Sequence, residues 1–124
     1  MVADRRTLII AAALAAAPGA VAGPRHAQRI AVRRNERTVI VNVDDVDWIE
    51  ADGDYVRLHT GPAVHLLATR MHAIEARLDP GRFHRIHRST IVRIQRVREL
   101  LRADDGGGLV VLESGVQLRV ARNR

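Results

Sequence analysis

The sequence predicts a mostly β fold with one short helix, and three observations carry that expectation. From about residue 37 apolar and polar residues alternate with a period of two, the pattern of strands with one face buried. The alternating runs are short and are separated by turn-forming pairs such as Asp52-Gly53 and Gly61-Pro62. A single window, Met71, Ile74 and Leu78, switches to the spacing of one helix face.

In chain order, Thr38 to Val43 alternates and reads as a strand, and Val46-Asp47-Trp48-Ile49-Glu50 reads as a second. Asp52-Gly53 is a hairpin signal, because glycine supplies the positive φ of a tight turn. Tyr55 to His59 is the return strand, and Gly61-Pro62 turns the chain into another strand, Ala63 to Leu67. Thr69 is placed to cap the helix, and Asp79-Pro80-Gly81 is placed to stop it. Phe83 to Ile86 returns to the strand period and breaks at His87-Arg88-Ser89. Thr90 to Ile94 and Val97 to Leu101 are strand-like, and Asp104 to Gly108 is a hairpin loop. Leu109 to Leu112 and Val116 to Val120 close the chain across Ser114-Gly115.

A chain of 124 residues is one domain with room for a short appendage. The hydrophobic share of 47% suffices for a core, which must be aliphatic because Trp48, Tyr55 and Phe83 are the only aromatics of that class. The absence of cysteine excludes disulfides, thiolate zinc sites and cysteine nucleophiles. The formal charge of +6 suits a polyanionic partner, nucleic acid first and anionic lipid second. All 20 basic residues are arginine, whose planar fork matches guanine and phosphate, although a GC-rich genome alone accounts for such codon usage. Acids concentrate in Asp44, Asp45, Asp47, Glu50, Asp52 and Asp54, whereas Arg82, Arg85, Arg88, Arg93, Arg96, Arg98 and Arg102 share their stretch with Glu99 alone. That segregation suggests one face meant for an anion.

Residues 1–30 form a separate apolar, Ala-rich segment with a basic linker, ahead of a domain expected over 31–124. Three readings stay open for it. Leu8 to Gly23 is short for a membrane span but fits an anchor or the remnant of a longer, truncated membrane region, with the arginines that follow it placing the domain in the cytoplasm. Ala20-Val21-Ala22 fits a cleaved signal. A soluble apolar tail is the third. Membrane association through residues 8–23 is therefore carried as an expectation, with a cytoplasmic, inner-membrane-tethered location.

For nucleic-acid binding, His87, Arg88 and Ser89 sit where a strand ends, so their side chains project past the sheet. Arg88 can take guanine in bidentate fashion, and His87 and Ser89 can bond phosphates or base edges. Arg93, Arg96 and Arg98 offer charge to the DNA backbone. Arg122, Asn123 and Arg124 form a second polar tip after the last strand, and Tyr55 forms a third. The bland reading of these arginines is a solvated strand face. Metal chemistry is poorly served: His84 and His87 point to opposite faces of a strand, and Glu50 to Gly61 lacks the glycine and glutamate positions of a calcium loop. Neither Ser89 nor Ser114 lies in a G-x-S-x-G turn, and Gly106 to Gly108 lacks the lysine of a phosphate loop. No cofactor, metal or enzymatic activity is expected.

Three pieces of the chain resemble the LytTR DNA-binding domain of bacterial transcription regulators. They are Val46 to Val56 (VDWIEADGDYV), Phe83 to Val92 (FHRIHRSTIV) and Gly115 to Arg122 (GVQLRVAR), in the family's order and spacing over about Ile40 to Arg122. The resemblance implies an elongated β fold of small antiparallel sheets that reads double-stranded DNA through loops, without a recognition helix. It implies loops entering successive major grooves, bending of the DNA, and paired direct repeats in promoters; a homodimer on the DNA is carried as a separate expectation. The family's contacts fall on Tyr55, Arg88 and Arg122, with His87 beside Arg88; Ser89, Arg93 and Asn123 complete the expected interface. Arg93 stands where the family often has Asn, and Ala121 where Ser is common. Too few residues precede 38 for the phosphoreceiver domain that most such regulators carry, so phosphorylation control is not expected. The rival expectation is a membrane-anchored or secreted β interaction module that does not read DNA.

Overall fold

The computed structural model describes residues 26–124. Among these residues ten strands and one α-helix follow one another. The strands are β1 (Arg29–Arg34), β2 (Arg37–Asn42), β3 (Trp48–Asp52), β4 (Tyr55–Thr60), β5 (Ala63–Leu67), β6 (Phe83–His87), β7 (Thr90–Arg93), β8 (Val97–Arg102), β9 (Gly108–Leu112) and β10 (Gln117–Val120). The helix α1 (Met71–Arg77) lies between β5 and β6. The strands form three antiparallel sheets: β1-β2, a central sheet in the order β5-β4-β3-β7-β6, and β10-β9-β8.

Two apolar clusters cover the two faces of the central sheet. Ile49, Val56, Leu58, Leu67, Phe83 and Ile91 face one way, against Ile30, Val32 and Val41 of the first hairpin and Met71, Ile74 and Leu78 of the helix segment. Ile86 and Val92 face the other way, against Val110, Leu112 and Leu118 of the three-stranded sheet, with Trp48 and Val97 at the margin. The period of two explains the split: Ile91 and Val92 are neighbours in β7 and enter opposite cores. Truncating a fully buried member such as Leu58 to Ala should cost about 2–5 kcal/mol. The helix has seven residues, too few to persist alone, and is held by burial of Met71, Ile74 and Leu78.

Most expected elements form within two residues of their sequence bounds. Three details differ. Strand β1 begins at Arg29, ahead of the boundary expected at residue 31, and its charged flanks had hidden the buried Ile30-Ala31-Val32. Its turn is Asn35-Glu36, with Asn35 at φ 56°, a conformation asparagine tolerates better than most residues. Thr69 does not cap the helix: Arg70 occupies the cap position and makes no side-chain capping bond. Val46 precedes its strand, because Val43–Asp45 forms a 3₁₀ turn capped by the Asn42 side chain accepting from Asp44 N at 3.0 Å. The apolar run 8–23 lies outside the described residues. Among the described residues no helix is long and apolar enough to cross a membrane.

Candidate nucleic-acid interface

The central sheet brings the expected tips to one end. Strand β3 pairs with β4 through a two-residue loop, Gly53-Asp54, and β6 pairs with β7 through Arg88-Ser89. Strand β3 also pairs with β7, Glu50 opposite Thr90, and Ala51 N donates to Ser89 O at 2.9 Å. The Tyr55 and Arg88 tips are therefore side by side. Gly53 has φ 61°, which suits the first loop position of a hairpin turn. The third tip joins through Ala121 N, which donates to Ile86 O at 2.8 Å and docks the segment after β10 beside the end of β6.

Tyr55, Arg88 and Arg122 are exposed there. Arg122 lines a depression with His87, Arg102, Arg119 and Asp105. Its aliphatic stem passes so near the β8–β9 loop that a Cβ at Gly106 would stand 3.8 Å from Arg122 Cδ. The sequence carries a signal for Arg119 as well: the alternation of β10, with Leu118 buried between exposed Gln117 and Arg119, marks it as outward-facing. Asn123 lines a different depression, with Glu75, His84 and Arg85, so the structure separates it from Arg122.

His87 and Ser89 hold each other. Ser89 N donates to His87 Nδ1 at 3.2 Å, and Ser89 Oγ lies 2.9 Å from the same nitrogen. With Nδ1 accepting, the neutral ring carries its hydrogen on Nε2, which leaves that nitrogen as the remaining donor. Ser89 Oγ is also 3.5 Å from Thr90 Oγ1. Ser89 is half-buried, so its hydroxyl serves the turn at least as much as the surface.

Arg93 is placed otherwise than the sequence suggests. It lies at the far end of β7, about 10 Å from the tip at some 3.3 Å per residue, and is only 2% exposed. Its Nε donates to Val46 O at 2.8 Å, its Nη2 donates to Val43 O, and its guanidinium carbon lies 4.9 Å from the centre of the Phe83 ring. Burial, and then neighbouring Arg82, push its pKa below the usual arginine value, while Asp44 and Asp47 act the other way. A side chain so enclosed supports the 3₁₀ turn and is not available to a phosphate.

The charge segregation of the sequence is largely cancelled in space. Arg82 pairs with Asp44, and Arg96 pairs with Asp47 at 3.0 Å and with Glu113 at 3.8 Å. Arg85 pairs with Glu75 and Arg98 with Glu99. Arg57 neutralises Asp52 at 2.8 Å beside the Tyr55 tip, and Glu50 bonds His59, whose ring stacks on Trp48 at 3.8 Å. Of the arginines in 82–102, Arg88 and Arg102 have no ion pair among the described residues, and both lie toward the tips. Among the described residues no group of three or more His, Asp or Glu is placed to hold a metal ion.

These features agree with the comparisons to known proteins. The LytTr DNA-binding domain family matches residues 36–124. The CO-responsive transcriptional regulator RcoM of Rhodospirillum rubrum is 36% identical over 94 residues, covering 76% of this chain and 39% of that protein. The heme-containing CO-sensing transcriptional regulator RcoM 1 of Paraburkholderia xenovorans is 31% identical over 109 residues, covering 87% of this chain and 41% of that protein. The chain thus spans about two fifths of the length of these curated relatives. A solved LytTr DNA-binding domain from Bacillus cereus superimposes with a TM-score of 0.70 at 17% identity, covering 77% of this chain and 88% of that one, and shares the fold. With the family matched over most of the chain and the same β architecture in a solved member, this chain belongs to the LytTr DNA-binding domain family.

Proposed function

We propose that this chain is the DNA-reading module of a transcription regulator and that it reads major grooves through the tips at one end of its central sheet. Arg88 and Arg122 take base edges, in the bidentate manner that arginine offers guanine. Tyr55 makes a loop contact from the β3–β4 tip. His87 donates through Nε2 to a phosphate or base edge, and Ser89 supports it. Asn123, turned toward Glu75 and Arg85, and Arg93, enclosed in the core, are left out of the reading. Two copies acting as a homodimer on paired direct repeats complete the proposal. The carbon monoxide sensing named for the relatives is not carried over, because the family match lies on residues 36–124.

The observation that carries the reading is that Arg88, without an ion pair among the described residues, sits on a tip adjoining the Tyr55 tip. Arg102, Arg119 and Arg122 lie beside it around the His87 depression. Arginines whose charge is spent on neighbouring carboxylates contribute little to an anion-binding face, whereas these retain theirs. The test is a DNA-binding selection with the full chain across a range of salt, comparing wild type, Arg88→Ala and Arg122→Ala. Each substitution should cost about 1–3 kcal/mol and relax preference at one base position. Enrichment of paired direct repeats by the wild type is expected. Equal sequence profiles for all three proteins would refute base reading by these tips and leave only an electrostatic surface.

A further inference from the structure

We propose that Arg85 is a positioning residue that sets the backbone of the β6–β7 tip, and through it the direction of Arg88, while Glu75 on the helix holds Arg85 in place. The inference rests on Arg88 being a DNA-reading residue. The reason the tip needs a clamp lies in its backbone. Among the described residues four hairpins have two-residue loops: Asn35-Glu36, Gly53-Asp54, Gly61-Pro62 and Arg88-Ser89. The first three carry a positive φ at their first loop residue, Asn35, Gly53 and Gly61, whereas neither Arg88 nor Ser89 has one. Two-residue loops with positive φ match the twist of the strands they join, and those without it splay the strands apart. The register shift between Arg85 and His87 takes up part of the mismatch, since a bulge bends its strand and adds twist.

Side chains close the rest. Arg85 Nε donates to His87 O at 3.4 Å, and Arg85 Nη2 donates to Arg88 O at 2.5 Å. Arg85 Nη1 meets Glu75 Oε1 at 3.1 Å. One guanidinium thus spans the last carbonyl of β6, the first carbonyl of the loop and a carboxylate of the helix. The rigid, planar array of five donors makes that possible; a lysine ammonium is a point charge on a flexible stem and cannot reproduce the fork. The Arg85 side chain is only 16% exposed, so it is turned inward and its charge is already met. The loop residue whose carbonyl it holds is Arg88 itself. A tip without the usual turn residues keeps its side chain free for reading and takes its shape from a neighbour.

The experiment uses the full chain in four variants: Arg85→Lys, Glu75→Gln, Arg88→Ala, and Arg85→Lys with Arg88→Ala. Affinity for the duplex that the wild type selects is measured by fluorescence anisotropy across a salt series, alongside base-preference profiles and thermal unfolding. Arg85→Lys should bind on the order of ten-fold more weakly, the effect of losing one charge-assisted bond at the site. Its salt slope should match the wild type, since no phosphate contact is removed. Its profile should broaden at the same base position as that of Arg88→Ala, and adding it to Arg88→Ala should weaken binding little further. Glu75→Gln, an exposed and conservative change, should shift the profile in the same direction while the fold is kept. Losses that add in the double variant would overturn the clamp. If Arg88→Ala alters the profile and Arg85→Lys behaves as wild type, the clamp alone is refuted. If Arg88→Ala leaves the profile unchanged, the reading role of Arg88 fails, and the purpose of the clamp with it.

Discussion

The guanidinium of Arg93, a residue 2% exposed, donates to the backbone carbonyls of Val46 and Val43. Arg93→Met keeps most of the aliphatic stem and removes the guanidinium. Hydrogen bonds from a charged donor contribute about 1.5–3 kcal/mol each. Val46 O loses such a donor, whereas Val43 O keeps a partner, the Val46 N–H at 3.1 Å, so the second loss falls at the low end. The contact over Phe83 adds about 0.5–2 kcal/mol. Against these stands the cost of desolvating a guanidinium, which the variant no longer bears. A net destabilisation of about 2–4 kcal/mol is expected for one buried, carbonyl-paired charge. Urea unfolding followed by Trp48 fluorescence should show the midpoint falling by about 1–4 M, at a slope of about 1–2 kcal/mol/M for a chain of this size. DNA affinity and its salt slope, measured where both proteins are folded, should be unchanged. Wild-type stability together with a salt slope reduced by about 0.9 would refute the structural role and restore Arg93 as a phosphate ligand.

Arg96→Ala should leave the salt dependence of DNA binding close to wild type, because its charge is engaged by Asp47 and Glu113. Its cost in stability should stay under about 1 kcal/mol, since Arg96 itself is half exposed, and chemical denaturation would measure it. Gly108→Ala should destabilise by about 1–3 kcal/mol. The added Cβ would stand 2.7 Å from the Leu101 backbone oxygen across the β8–β9 ladder, where no flexible side-chain end can move away; thermal unfolding would report the loss.

Fold class, the order of nearly all elements and the family are legible in the amino-acid sequence. These are local properties. Alternation of Val56 and Leu58 with Arg57 and His59, or glycine at 53 and 61, acts on residues a few positions apart and is legible without the fold. The Arg88, Tyr55 and Arg122 motifs are equally local in the chain. Which of many similar arginines remain free depends on the folded arrangement. Arg82, Arg93 and Arg96 find partners around Asp44 and Asp47, far away in sequence, because β7 pairs with β3 and Arg93 N donates to Asp47 O. Arg85 becomes a clamp because helix α1 packs where Glu75 can reach it. The hairpin of β1 was hidden for the converse reason: its buried core is three residues long, and the charges on either side dominate any local window. Composition sets how much charge a chain carries, but strand pairing sets how much of it is left to meet an anion, because an ion pair depends on distances that only the long-range register fixes.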